Sequence, residues 1–188
     1  MIPGLTYIDD FVTAESESRL IEQIDASPWL DDLKRRVQHY GYKYDYTARS
    51  VDETMFLGPL PSWATEVGQT LVAQGHFPMA PDQVIVNEYE PGQGISPHVD
   101  CEPCFKDSIA SITLGSGCTM DFSCVETDEK RSLYLRRRSV VVLTGESRYD
   151  WRHAIASRKS DVIDGQRVLR DRRISLTFRN VILKSCQI

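Results

Sequence analysis

A chain of 188 residues with 41% hydrophobic content is long enough to enclose one core, so a single domain spanning 1–188 is expected. A net charge of -5 excludes grip on duplex nucleic acid by a broad positive surface, and the short apolar runs, typified by Val140 to Leu143, exclude a membrane-spanning helix. The odd cysteine count of five, and an opening Met1-Ile2-Pro3-Gly4 that starts no charged-then-apolar leader, point away from a secreted disulfide framework and towards a cytosolic monomer.

Residues 1–80 read as helical support with loops. Thr13 can cap a segment that places Leu20, Ile21 and Ile24 on one helical face before Pro28 ends it. A second helix is expected after Pro61, with Ala64, Val67 and Leu71 inward and Gly75 as its stop. Between them, Lys34 to Arg49 mixes His39, Tyr40, Tyr42, Tyr44 and Tyr46 with Lys34, Arg35, Arg36, Lys43 and Arg49, the makings of a cover over a site.

Residues 81–188 change to short β-rich runs: 83–89, 109–114, 118–122, 133–135, 139–143 and 174–183. Turn clusters such as Pro91-Gly92-Gln93-Gly94 and Gly115-Ser116-Gly117 separate them. The expected class is mostly β with flanking helices, the β part an antiparallel barrel or sandwich. Arg158, Arg167 and Arg170 fall in what reads as a long loop before the last strand.

His98-Val99-Asp100 sets an imidazole and a carboxylate two residues apart, on the same face of an extended segment. His153, in Tyr149-Asp150-Trp151-Arg152-His153, is the best remaining third ligand, because His39 and His76 lie in the helical part. Two histidines and one carboxylate leave open positions on an octahedral ion and suit non-haem Fe(II). Taken singly, His-x-Asp is a common chance pair, and His153 reads equally as a packed histidine.

Arg173-Ile174-Ser175-Leu176-Thr177-Phe178-Arg179 alternates polar and apolar residues, so Arg173, Ser175, Thr177 and Arg179 share one strand face. If that face is interior, two arginines require an anionic partner such as a dicarboxylate. If it is exterior, they are solvated, and the pattern alone leaves both readings open. Asn87 and Tyr89 form a second same-face pair that could donate to the same ligand.

Taken in order, the stretch from Asn87-Glu88-Tyr89 to His98-Val99-Asp100, then Leu143-Thr144-Gly145-Glu146-Ser147-Arg148-Tyr149, His153 and Arg173 to Arg179 resemble the AlkB family of Fe(II)/2-oxoglutarate-dependent dioxygenases. The resemblance covers roughly the last hundred residues and implies a double-stranded β-helix, or jelly roll, with residues 1–80 as support and lid and 81–188 as the catalytic core. It implies Fe(II) on His98, Asp100 and His153, with 2-oxoglutarate and O2 as cosubstrates. It further implies that Arg173, Asn87 and Tyr89 hold the distal carboxylate of 2-oxoglutarate and Arg179 the carboxylate nearer the metal. Ser175 stands where some members carry asparagine. Arg148 and Glu102 would lie near the substrate, and His39, Tyr40 and Tyr42 could stack on an extruded base.

The resemblance is closest to the branch that hydroxylates modified wobble uridines in tRNA, carried by Met120-Asp121-Phe122 and Arg137-Arg138-Ser139 ahead of Thr144 to Tyr149. It implies oxidation of a base in RNA, tRNA or alkylated single-stranded DNA, by demethylation or by stable hydroxylation. Hydroxylation or demethylation of a protein side chain or small molecule is the alternative that the acidic balance favours, and a silent jelly-roll binding module is a third. Cys101-Glu102-Pro103-Cys104 is expected to be a pair of reduced, incidental thiols, because a structural zinc would need a second ligand pair and only Cys118 and Cys124 offer one. Arg136-Arg137-Arg138 reads as a solvated charge run or a phosphate-facing strand edge.

Overall fold

The computed structural model describes residues 1–31 and 33–183. In chain order it contains β1 (Leu5–Ile8), α1 (Ala14–Asp25), β2 (Val37–Tyr40), α2 (Ser62–Ala73), β3 (Gln83–Tyr89), β4 (Ile95–His98), β5 (Ile109–Gly115), β6 (Cys118–Cys124), β7 (Lys130–Leu135), β8 (Val140–Leu143), α3 (Gly145–Tyr149), β9 (Trp151–Ile155), β10 (Ser160–Ile163), β11 (Gln166–Leu169) and β12 (Arg173–Arg179). The strands form a six-stranded sheet in the order β1-β8-β5-β12-β3-β2, a four-stranded sheet β4-β9-β6-β7, and the β10-β11 hairpin. Every pairing is antiparallel. The architecture is the mostly β jelly roll with flanking helices that the sequence implied.

The helices form where the periodicity places them. The Thr13 hydroxyl accepts the Ser16 amide at 3.1 Å, capping α1, whose Leu20 and Ile24 turn inward. Helix α2 buries Trp63, Ala64, Val67, Gly68 and Leu71. Both faces pack on Val84 and Val86 of β3, Ala110, Ile112 and Leu114 of β5, Val140 and Val142 of β8, and Ile174, Leu176 and Phe178 of β12. Burying each large apolar side chain contributes roughly 1.5–3 kcal/mol, so this layer fixes the pleat of the large sheet. The opposite face of each strand is then turned towards the small sheet.

That interior is apolar only in part: Met120, Phe122, Leu135, Val141, Leu143, Trp151 and Ile155 cluster there. The buried carboxylate of Glu17 ties α1 to the barrel, accepting the Gly115 amide at 2.8 Å and Arg137 at 2.6 Å. Arg138 pairs with Asp10 at 2.6 Å, so two members of the 136–138 run are bound to the helical layer rather than merely solvated.

Two segments differ from expectation. Residues 1–80 supply the edge strands β1 and β2 besides helices, and β2 pairs with β3 in the register Val37↔Asn87 and His39↔Ile85. The supposed loop before the last strand is the β10-β11 hairpin, turned by Asp164 and Gly165, both at positive φ (50° and 77°). Asp-Gly is a strong type I′ turn signal, so this hairpin was legible in the sequence.

The hairpin is anchored by the buried carboxylate of Asp161, which Arg158 and Arg170 both meet at 2.7 Å. Burial alone would raise this carboxyl, but hydrogen bonds from Arg170, Thr119 and Arg158 outweigh it and hold it well below the usual carboxylate range. Because the folded-state value is depressed, the stabilisation is present above the unfolded value near ~4 and fades as pH falls below it. Asp161→Asn is expected to cost roughly 2–3 kcal/mol at pH 7, less than a fully enclosed pair because Arg158 is half exposed. It should also lose less stability than the parent between about pH 5 and pH 2, and parallel curves in urea melts at several pH values would remove the assignment.

Candidate active site

Strand β12 lies between β3 and β5, with the registers Arg173↔Tyr89, Ser175↔Asn87 and Thr177↔Ile85 on one side and Ser175↔Thr113 and Thr177↔Ser111 on the other. Since alternate residues face opposite ways and Ile174, Leu176 and Phe178 pack on the helices, Arg173, Ser175, Thr177 and Arg179 face the space between the sheets. That space is a cavity of about 570 Å³, and Asn87, Tyr89, Ser111, His98, Asp100 and His153 line it too. The size falls within the range of small-molecule and cofactor sites, ~300–1,000 Å³.

On the small sheet, β4 and β9 pair with His98 opposite His153, and their ring centroids lie 4.3 Å apart. Asp100 follows two residues after His98. His98, Asp100 and His153 each offer one ligand atom, and these atoms lie within 4.8 Å of one another. The Ser96 carbonyl sits 2.8 Å from His98 Nδ1 and can only accept, so Nδ1 carries the proton and the Nε2 lone pair is left for a metal.

The electrostatics fit the same purpose. Burial depresses His153 to about 4, which leaves its imidazole neutral at pH 7. Burial would raise the Asp100 carboxyl, yet Arg179, His98 and His153 together hold it well below the usual range, so it is an anion. Arg179 Nε donates to Asp100 Oδ2 at 3.0 Å. Two imidazole nitrogens and one carboxylate are the donor set of a 2-His-1-carboxylate iron site.

The cation balance of the cavity is incomplete. Arg173 is 3% exposed, donates once, to Thr113 Oγ1 at 2.9 Å, and has no carboxylate partner among the described residues. Its Nε and Nη1, and Nη1 of Arg179, are buried with no hydrogen-bond partner. Unmet donors on buried guanidinium groups are costly. A dicarboxylate reaching between Arg173 and the neighbourhood of Asp100 would satisfy them, so the residues present fit 2-oxoglutarate.

Other candidates fall differently. Ser175 hydrogen bonds to Ser111 at 2.9 Å, within the cavity wall. Tyr40 leaves the cavity: its ring meets Trp63 edge-on at 5.3 Å and its hydroxyl donates to Gln38 Oε1. Tyr42 packs on Phe56 at 5.1 Å, and neither it nor His39 lines the cavity. The aromatic wall is supplied instead by Tyr44 and Tyr46, whose rings meet edge-on at 5.0 Å, with Lys34, Arg35 and Arg49 beside them. His39 backs this wall, 5.8 Å from Tyr46. Glu102 is exposed outside the lining.

Arg148 is 2% exposed and lies behind the metal-side loop, not in the cavity wall. Its guanidinium donates to the carbonyls of Asp100 at 3.0 Å, Cys101 at 3.4 Å and Phe105 at 3.5 Å, which fixes the backbone leaving Asp100. The expectation of two free thiols in that loop is not met: the Cys101 and Cys104 sulfurs are bonded to each other, as their Cα separation of 5.3 Å permits. Cys118 and Cys124 are free. Arg35, expected only as one of the cations of the cover, enters the site through Asn87, its Nε donating to Asn87 Oδ1 at 2.8 Å. No motif marks it.

The family model of the 2OG-Fe(II) oxygenase superfamily matches residues 4–179. Uncharacterized protein L905 of Acanthamoeba polyphaga mimivirus is 36% identical over 95% of this chain and 85% of its own length. The tRNA (carboxymethyluridine(34)-5-O)-methyltransferase alkbh8 of Xenopus tropicalis is 39% identical over 98% of this chain, which spans 32% of that protein. Among solved structures, that of OsALKBH1 superposes with a TM-score of 0.74 at 18% identity, covering 96% of this chain and 98% of the other.

Proposed function

The chain belongs to the AlkB family of the 2OG-Fe(II) oxygenase superfamily, and on that premise we propose that this Fe(II)- and 2-oxoglutarate-dependent dioxygenase oxidises a nucleic-acid base, an RNA base first among the candidates. His98, Asp100 and His153 would hold the iron, Arg173 and Asn87 would hold the distal carboxylate of 2-oxoglutarate, and Arg179 would secure the metal end of the cavity. When bound, iron with its cosubstrates supplies the oxidising power: one oxygen atom of O2 ends in succinate as CO2 is lost, and the other enters a substrate C–H bond. The chain's own part is geometric and electrostatic.

Each residue has a definite share in that part. Ser96 holds His98 in the tautomer that presents Nε2, and Arg148 holds the Asp100 backbone. Arg179 keeps Asp100 anionic while leaving Nη1 free for a ligand. Tyr44 and Tyr46 supply π faces on which an extruded base can stack, a contact worth about 1–3 kcal/mol per base. Lys34, Arg35 and Arg49 put local positive charge beside them on a chain of net charge -5, so phosphate contact would be few-point and salt-sensitive.

The observation that carries the substrate class is this joint aromatic and cationic wall facing the metal side chains across one cavity. Its test is succinate release, with nucleoside mass spectrometry, on total tRNA, N-methylated single-stranded DNA and unmodified oligonucleotides. Stimulation by one of these above the uncoupled rate, with loss of one modified nucleoside, is expected. Tyr46→Ala should raise KM for that substrate about tenfold. Turnover that no nucleic acid stimulates would replace this reading with a protein or small-molecule substrate, which the net negative charge favours.

A further inference from the structure

An asparagine amide facing a carboxylate is useful in only one of its two orientations. Its Nδ2 branch donates, whereas its Oδ1 branch would set lone pairs against an anion. Nothing in the Asn87 backbone selects between them. The selection comes from outside the strand: Arg35 Nε–H, which can only donate, lies 2.8 Å from Oδ1. Oδ1 is thereby spoken for, and the donor branch is the one left to the contents of the cavity.

Arg35 is delivered to this position with its backbone fixed. The segment carrying it is closed by two amide–carbonyl bonds between Leu30 and Val37, both 2.9 Å. The Glu88 amide donates to the Arg36 carbonyl at 3.0 Å, and Gln93 Nε2 to the Lys34 carbonyl at 2.8 Å. The Arg36 and Glu88 side chains pair at 2.5 Å. The Arg35 guanidinium carbon also lies 5.6 Å from the centre of the Tyr89 ring, against which Arg173 lies at 5.4 Å. No carboxylate among the described residues pairs with Arg35, whose side-chain hydrogen bond goes to Asn87.

We propose that Arg35 is a positioning residue for the cosubstrate, acting through Asn87: it locks the amide so that Nδ2 meets the 2-oxoglutarate carboxylate. This rests on the 2-oxoglutarate site proposed above. The Arg35 segment also carries Lys34 into the cavity wall, so the segment that orients the cosubstrate is the one facing the substrate.

The test is calorimetric binding of 2-oxoglutarate to the full chain loaded with Mn(II) in place of iron. Arg35→Met and Asn87→Ala are each expected to raise the dissociation constant about tenfold. The double variant should lose no more than Asn87→Ala alone. Arg35→Lys, which keeps a donor, should stay within about threefold of the parent, and in turnover by the iron-loaded Arg35→Met enzyme KM for 2-oxoglutarate should rise by more than kcat falls. Parent-like binding by Arg35→Met overturns the proposal, as does a double variant whose loss is the product of the two singles. So does a loss in Arg35→Lys as large as in Asn87→Ala, which keeps the question decidable should Arg35→Met not fold. A parent chain that binds no 2-oxoglutarate would instead bring down the cosubstrate site on which the proposal rests.

Discussion

Replacing His98 with alanine is expected to abolish the visible charge-transfer band that forms when Fe(II) and 2-oxoglutarate are added anaerobically, and to reduce turnover below about one-hundredth of the parent. Removing groups that merely orient a metal ligand costs 10–100-fold, and removing a ligand should exceed the upper end of that range. His98 is the informative member of the three. Its side chain is 32% exposed, and its ring meets only the Ser96 carbonyl and the two other members of the triad, Asp100 at 3.5 Å and the His153 ring, so truncation should leave the barrel folded. Asp100, by contrast, also anchors Arg179, and His153 is half-buried with its Nδ1 sealed from solvent, so their loss mixes metal and fold effects. Titration of parent and His98→Ala side by side decides the matter: an undiminished band in the variant would remove His98 from the coordination sphere, and with it the pairing of β4 and β9 as the device that builds the site.

Arg173→Met should lower affinity for 2-oxoglutarate by about 100-fold to 10,000-fold. Two N–H groups of the guanidinium wait without partners, and charge-assisted bonds to a carboxylate contribute about 1.5–3 kcal/mol each. The same substitution has a second signature in the chain without ligands. There the buried cation is uncompensated, so methionine of similar length should leave the melting temperature unchanged or raise it. Cosubstrate-induced stabilisation, which scales with the logarithm of ligand over dissociation constant, should vanish. A variant that melts like the parent both with and without 2-oxoglutarate would mean that Arg173 faces no carboxylate.

The elements that carry chemistry were legible because their patterns are extreme. Arg173 to Arg179 alternates without a fault, and the strand is buried throughout, so register alone decided which residues faced the cavity. What the sequence left open, an interior or an exterior polar face, was settled by the helices, whose apolar faces claim Ile174, Leu176 and Phe178. His98-x-Asp100 was visible in the same way. The aromatic wall was not, since four tyrosines spaced two apart say nothing about which of them a short edge strand turns towards Trp63. Pairing of β2 with β3 made that choice, sending Tyr40 to the helical core, while Tyr44 and Tyr46 beyond the strand line the cavity. Arg148 was similarly opaque: an arginine near a site reads as a substrate contact, and only the three carbonyls around it identify a support for the loop.

The central place of β12 bears on how this chain tolerates changes in length. One face of the strand holds the helices and the other presents the cavity residues, and both neighbours are locked to it residue for residue. Adding or deleting one residue between 173 and 179 would exchange the two faces, sending Ile174 or Leu176 towards the cavity and an arginine into the helical core. Such a chain would be defective in folding and in ligand binding at once. At the tip of the β10-β11 hairpin, where Asp164 and Gly165 turn in solvent, inserted residues would disturb neither layer. Tags or linkers intended for this protein belong there, and length variants that keep activity should be confined to such tips.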